Sequence, residues 1–113
     1  MEIRYKNVQI RKICTDPGKH LKGSTKLIQE LEMLLVNIET ADNLAFFDLP
    51  VNKKKYNPEY LKGQKKNKDN VLSMRIYDKY RLIFRDASKS IKGPFVEIEA
   101  IIIEEVSDHY AKR

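Results

Sequence analysis

Over Met1–Ile13, apolar and polar residues alternate: Ile3 and Tyr5, then, after a slip at Lys6-Asn7, Val8 and Ile10. A period of two predicts a strand with one break. Thr15-Asp16-Pro17-Gly18 punctuates the chain as a turn. Ser24 or Thr25 then stands as an N-cap. From Lys26 to Glu39 the apolar residues Leu27, Leu31, Leu34, Leu35 and Ile38 recur at helical spacing, while Glu30, Glu32 and Glu39 fall outside that set. This is one face of a helix. Thr40 is placed to cap a second, short helix through Leu44, Phe46 and Phe47, closed by Pro50. Val51–Asn70 has no apolar period and reads as loop, with one short turn at Pro58-Glu59-Tyr60-Leu61.

Beyond Asn70 the period returns to two. Leu72, Met74 and Ile76 alternate with Ser73, Arg75 and Tyr77, Asp78-Lys79 makes a tight turn, and Tyr80, Leu82 and Phe84 alternate with Arg81, Ile83 and Arg85. After a loop from Asp86 to Pro94, Val96, Ile98, Ala100 and Ile102 alternate with Glu97, Glu99, Ile101 and Ile103. The predicted order is strand, helix, helix, then a three-stranded antiparallel meander. Segregated helices and strands give an α+β fold with the helices packed on one sheet face. The 113 residues make one domain, 1–113.

Composition narrows the function classes. The longest aliphatic run, Ala100-Ile101-Ile102-Ile103, is far short of the roughly 20 residues of a membrane span. The charged start Met1-Glu2-Ile3-Arg4-Tyr5-Lys6 is unlike a signal peptide, so a cytoplasmic location without membrane partners is expected. The lone Cys14 permits no internal disulfide and no multi-cysteine metal site. The net charge is +6, and it is concentrated: Asn52–Lys68 holds seven lysines against the single acid Glu59. From Phe95 onward five acids face Lys112 and Arg113. A basic middle suits a polyanion partner, nucleic acid or acidic protein, and equally a solvated lysine loop. Lysine in place of arginine would grip phosphates as point charges without reading bases.

Two further groups bear on chemistry. Arg75, Arg81 and Arg85 share the sheet face opposite the apolar set. If that face is open they form a phosphate-binding surface; alternatively they pair across strands with Glu97 and Glu99. At the end of the last strand stand Ser107-Asp108-His109-Tyr110. Asp, His and Tyr are the side chains that proton transfer at a hydroxyl uses.

Tyr60-Leu61-Lys62-Gly63-Gln64-Lys65-Lys66, followed by Leu72-Ser73-Met74-Arg75-Ile76-Tyr77-Asp78-Lys79-Tyr80-Arg81-Leu82-Ile83-Phe84-Arg85, resembles the RelE/ParE superfamily of bacterial toxins, in its HigB-like branch. That pattern is L-K-G-x-(R/K), then S-(I/M)-R-I-x-x-x-(Y/W)-R-(I/L)-x-F, then a strand ending in an acid with His and Tyr. The resemblance covers about Leu61–Tyr110, and the first half by layout only. It implies a small RelE-like fold and a ribosome-dependent mRNA endonuclease, the mRNA interferase toxin of a type II toxin–antitoxin system. It also implies a metal-free reaction without cofactors, in which the 2′-hydroxyl attacks the adjacent phosphate. The implied partners are the ribosome, mRNA and a cognate antitoxin of the helix-turn-helix, DNA-binding kind. By position, Arg75 matches the arginine on the scissile phosphate, and Asp108, His109 and Tyr110 match the catalytic cluster. Arg81 matches the Y-R arginine, structural or phosphate-binding. Lys62, Lys65 and Lys66 would fit a grip on ribosomal RNA or mRNA, and Arg81 and Arg85, from the arginine-bearing face, join them as expected RNA-binding residues. The HigB ending is D-Y-H where this chain has Asp-His-Tyr, so the base and the acid stay unassigned. A ParE-like gyrase inhibitor and a non-catalytic RNA-binding module using the lysine loop are the rival expectations.

Overall fold

The computed structural model describes residues 1–61 and 70–108. In chain order the elements are β1 (Glu2–Tyr5), α1 (Val8–Thr15), α2 (Pro17–His20), α3 (Thr25–Thr40), a 3-10 turn (Leu44–Asp48), α4 (Pro50–Tyr56), β2 (Glu59–Tyr60), β3 (Val71–Tyr77), β4 (Tyr80–Asp86), a second 3-10 turn (Phe95–Glu97) and β5 (Ala100–Ser107). The strands form one mixed sheet in the order β1-β5-β4-β3-β2. β1 runs parallel to β5, and the remaining pairs are antiparallel. The fold is α+β.

The long helix forms where its apolar spacing predicts. Ser24 caps it by accepting a hydrogen bond from the Leu27 N–H at 3.1 Å. Leu27, Leu31, Leu34, Leu35 and Ile38 are buried in one cluster with Leu72, Met74, Leu82, Phe84, Ile101 and Ile103 of the sheet. Fully burying each such side chain is worth about 1.5–3 kcal/mol. The hairpin turn also forms as expected, with Asp78 in the left-handed region at φ 53°, which aspartate tolerates better than most residues.

Three expectations fail for local reasons. Val8–Ile13 is helix, not strand. Asn7, read as a slip, is its N-cap and accepts from the Ile10 N–H at 2.9 Å. Ile10, Ile13 and Cys14 turn inward at helical spacing while Val8 stays exposed. Pro50 closes the 3-10 turn Leu44–Asp48 as expected, with Leu49 before it extended, but it also begins a helix: it occupies the first turn of α4, where its missing N–H has no partner to lose. Lys53, Lys54 and Lys55 are therefore helical. Asn57 closes α4 in the left-handed region at φ 44°, with its N–H bonded to Lys53 O. Finally, the last strand starts at Ala100, and its phase is the reverse of that expected. Ile101 and Ile103 are buried in the core while Ile102 is half-buried, because Phe95–Glu97 takes the 3-10 turn.

The arginine-bearing sheet face is not the open surface expected. Val71, Ser73, Arg81 and Ile83 on that face are all buried, and Leu61 joins Val71 and Ile83 in a second small cluster. The pairing with Glu97 and Glu99 is also not made. Glu97 engages Lys89, and Arg85 pairs with Glu104. Among the described residues no helix is long and apolar enough to cross a membrane.

Candidate nucleic-acid interface

The antiparallel register decides which of the candidate residues meet. Arg75 of β3 stands opposite Arg81 of β4, and Arg81 stands opposite Ser107 of β5. One row across the sheet thus runs Arg75, Arg81, Ser107, and Asp108 follows directly. Two strand spacings put the Arg75 backbone roughly 10 Å from that of Ser107. Lys79, in the hairpin turn, reaches the same end and lies 3.8 Å from the Asp108 carboxylate. His109 and Tyr110 lie outside the described residues, as do Lys62, Lys65 and Lys66.

Arg75 and Arg81 are neighbours with different surroundings. Arg81 is 5% exposed. Its Nε donates to Ser73 Oγ at 2.9 Å and its Nη2 to the Asn57 carbonyl at 2.8 Å, with Glu59 Oε1 3.5 Å away. Burial holds its pKa below the usual arginine value; Glu59 pulls it back up and the Arg75 charge pushes it further down. The Arg81 guanidinium therefore serves the fold. It ties the left-handed end of α4 to the middle of the sheet. Arg75 is half-buried, and its Nη1 donates to the Lys54 carbonyl at 3.3 Å. Of its five N–H donors, that is the hydrogen bond made among the described residues.

Both arginines thus hold carbonyls at the C-terminal end of α4, where the helix dipole favours cations. The same helix carries three lysines in its last turn. Lys53 pairs with Asp48 at 3.8 Å and Lys55 with Glu30 at 3.9 Å, while Lys54 makes no ion pair among the described residues. Arg75, bonded to the Lys54 carbonyl, and Lys79, paired with Asp108, make a basic edge at the sheet end where β5 finishes.

No family model, no curated protein and no solved structure matches this chain. The site therefore rests on its own geometry.

Arg85 stands apart. It lies four residues along β4 from Arg81, roughly 13 Å at strand rise. Its Nε is 3.0 Å from Glu104 Oε2, an ion pair too poorly aligned to be a hydrogen bond. The fold thus separates Arg85 from the Arg75 row. Three contributors escaped sequence reading: Ser73 and Asn57 as anchors of Arg81, and α4 as the carrier of the lysines. For the last, Pro50 at the start and Asn57-Pro58 at the end were the available signals. Among the described residues no three His, Cys, Asp or Glu side chains stand together as metal ligands would.

Proposed function

We propose that this chain is an endoribonuclease that cuts mRNA on the ribosome, held in check by a cognate antitoxin. One observation carries the reading. The register brings Arg75 and Asp108, from segments more than thirty residues apart, to one end of the sheet beside a lysine-bearing helix. The nuclease roles given to Arg75, Asp108, His109 and Tyr110 are taken from the sequence resemblance to RelE/ParE toxins.

In this reading Arg75 supplies its uncommitted donors to the phosphate on which charge builds during 2′-hydroxyl attack. His109 and Tyr110 transfer the protons that leave the 2′-hydroxyl and reach the departing 5′-oxygen. Asp108 orients one of them and is itself steadied by Lys79. Lys54 and the lysines of 62–68 hold the RNA backbone. Arg81 has no direct contact with RNA and maintains the position of α4.

Primer extension on mRNA in a translating extract tests this. New 5′ ends should appear on translated mRNA when the protein is added, while naked RNA stays largely intact. Intact mRNA at growth-inhibiting doses, with supercoiling by gyrase blocked, would put the ParE-like reading in its place. Intact mRNA with gyrase unaffected would leave the binding module.

A further inference from the structure

The outer side of α3 is not uniformly polar. Opposite its buried stripe, Met33 and Val36 are 52% and 57% exposed. They line a shallow hollow of about 440 Å³ together with Gln29, Glu32 and the ion pair of Lys26 with Glu30. A second hollow of about 350 Å³ shares Glu32 and Val36 and continues over Ile3, Tyr5 and Glu39. The two form one groove along the helix toward β1.

Its charge runs against that of the chain. The protein carries +6 overall, yet Glu32 and Glu39, at the two ends of the apolar strip, make no ion pair among the described residues. They are seven positions apart, two helical turns or about 10.5 Å. The remaining carboxylate of the groove, Glu30, is already held by Lys26 at 3.8 Å and Lys55 at 3.9 Å. The complement of such a surface is an apolar side chain bracketed by two cations at the same spacing.

We propose that this groove docks a helical segment of another protein. An apolar side chain of that helix seats on Met33 and Val36, and lysines or arginines two turns apart pair with Glu32 and Glu39. A second copy of this chain is the poorer occupant. Two copies at +6 each repel. The inference stands on the α3 surface and does not depend on the nuclease reading. The position has a consequence for that reading, however. Glu30 at the groove contacts Lys55 of α4, and the adjacent Lys54 carbonyl receives Arg75. A partner seated on α3 therefore lies one helix away from the basic edge.

The test uses the full chain, isotope-labelled, and a synthetic helical peptide of about 15 residues, long enough to hold a helix. The peptide carries leucine at its centre and arginines two turns apart; control peptides replace the arginines by glutamates or the leucine by serine. Amide shifts should be confined to α3 and the facing parts of β1 and α1. Binding should weaken as salt rises from about 50 to 300 mM. The variants Met33→Asp, and Glu32→Lys with Glu39→Lys, should bind about tenfold more weakly or worse, with their own spectra otherwise unchanged. Absence of shifts at millimolar peptide, shifts centred elsewhere, or equal binding of the glutamate peptide would overturn the proposal. Shifts at the same α3 residues on concentrating the chain alone would overturn it in favour of a homotypic interface.

Discussion

The assignment of Arg81 to the fold can be tested by its stability cost. Arg81→Ala removes two well-formed hydrogen bonds from a charged donor, to Ser73 Oγ at 2.9 Å and to the Asn57 carbonyl at 2.8 Å. The third approach, to the Ser73 carbonyl at 3.5 Å, is too long to count. Each bond of this kind contributes about 1.5–3 kcal/mol. Two terms offset that loss. The substitution recovers the desolvation that depresses the guanidinium pKa. Glu59, with a side chain 47% exposed, returns to water, so the full penalty for a stranded buried ion does not apply. The net expectation is a loss of about 2–4 kcal/mol. For a domain near 100 residues this lowers Tm by roughly 10–25 °C. Arg81→Met keeps the packing of the aliphatic stem and should lose about 1 kcal/mol less. Urea unfolding followed by far-UV circular dichroism gives the number, with the m-value unchanged if only stability moves. A loss below about 0.5 kcal/mol, the size of a surface substitution, would refute the buried-anchor account. Arg81 would then return to the RNA-binding set.

Other outcomes follow from the same geometry. Asn57→Gly should leave stability within about 0.5 kcal/mol, because φ 44° suits glycine, whereas Asn57→Val should lose about 1–2 kcal/mol in urea melts. Burial pushes the Cys14 thiol up to about 11 from an ordinary 9.0. The unfolded chain therefore ionises first, and stability complete below pH 9 should fall by up to about 2–3 kcal/mol as pH rises to 11. Cys14→Ala should lack that component, and matching wild-type and variant pH profiles would contradict it. Under the proposed function, Arg75→Ala should cut mRNA cleavage roughly 10²–10³-fold while shifting stability by less than about 1 kcal/mol. Lys54→Ala should weaken ribosome binding by less than about 1 kcal/mol, with marked salt dependence. A cleavage rate unchanged in Arg75→Ala would remove Arg75 from the site. Association with an acidic antitoxin segment should slow as salt rises, and a salt-indifferent rate would count against an electrostatic encounter.

Where an element buries one face and its period is long, the amino-acid sequence alone determined the outcome. α3 follows from Leu27 to Ile38 at helical spacing behind Ser24, and the β3–β4 hairpin from strict alternation around Asp78-Lys79. In both, every local preference agrees with the burial that stabilises it. Short segments were decided otherwise. Val8–Ile13 carries an alternation compatible with a strand, and became helix through the cap at Asn7 and the inward side chains Ile10, Ile13 and Cys14. The lysines of α4 have no apolar period because the helix presents only Tyr56 to the core. Its place is settled by distant partners, Asn37 on the Tyr56 hydroxyl and Arg75 and Arg81 on its carbonyls. The same holds for the three arginines. Their shared face was legible from a period of two, but not which would be buried. That depended on β2 and Leu61 lying across the sheet edge, and on the extra residue in β5 where register shifts beside Ile83. Pairing across strands is a long-range choice, made by the energy of the whole packed sheet, and no local run of residues encodes it.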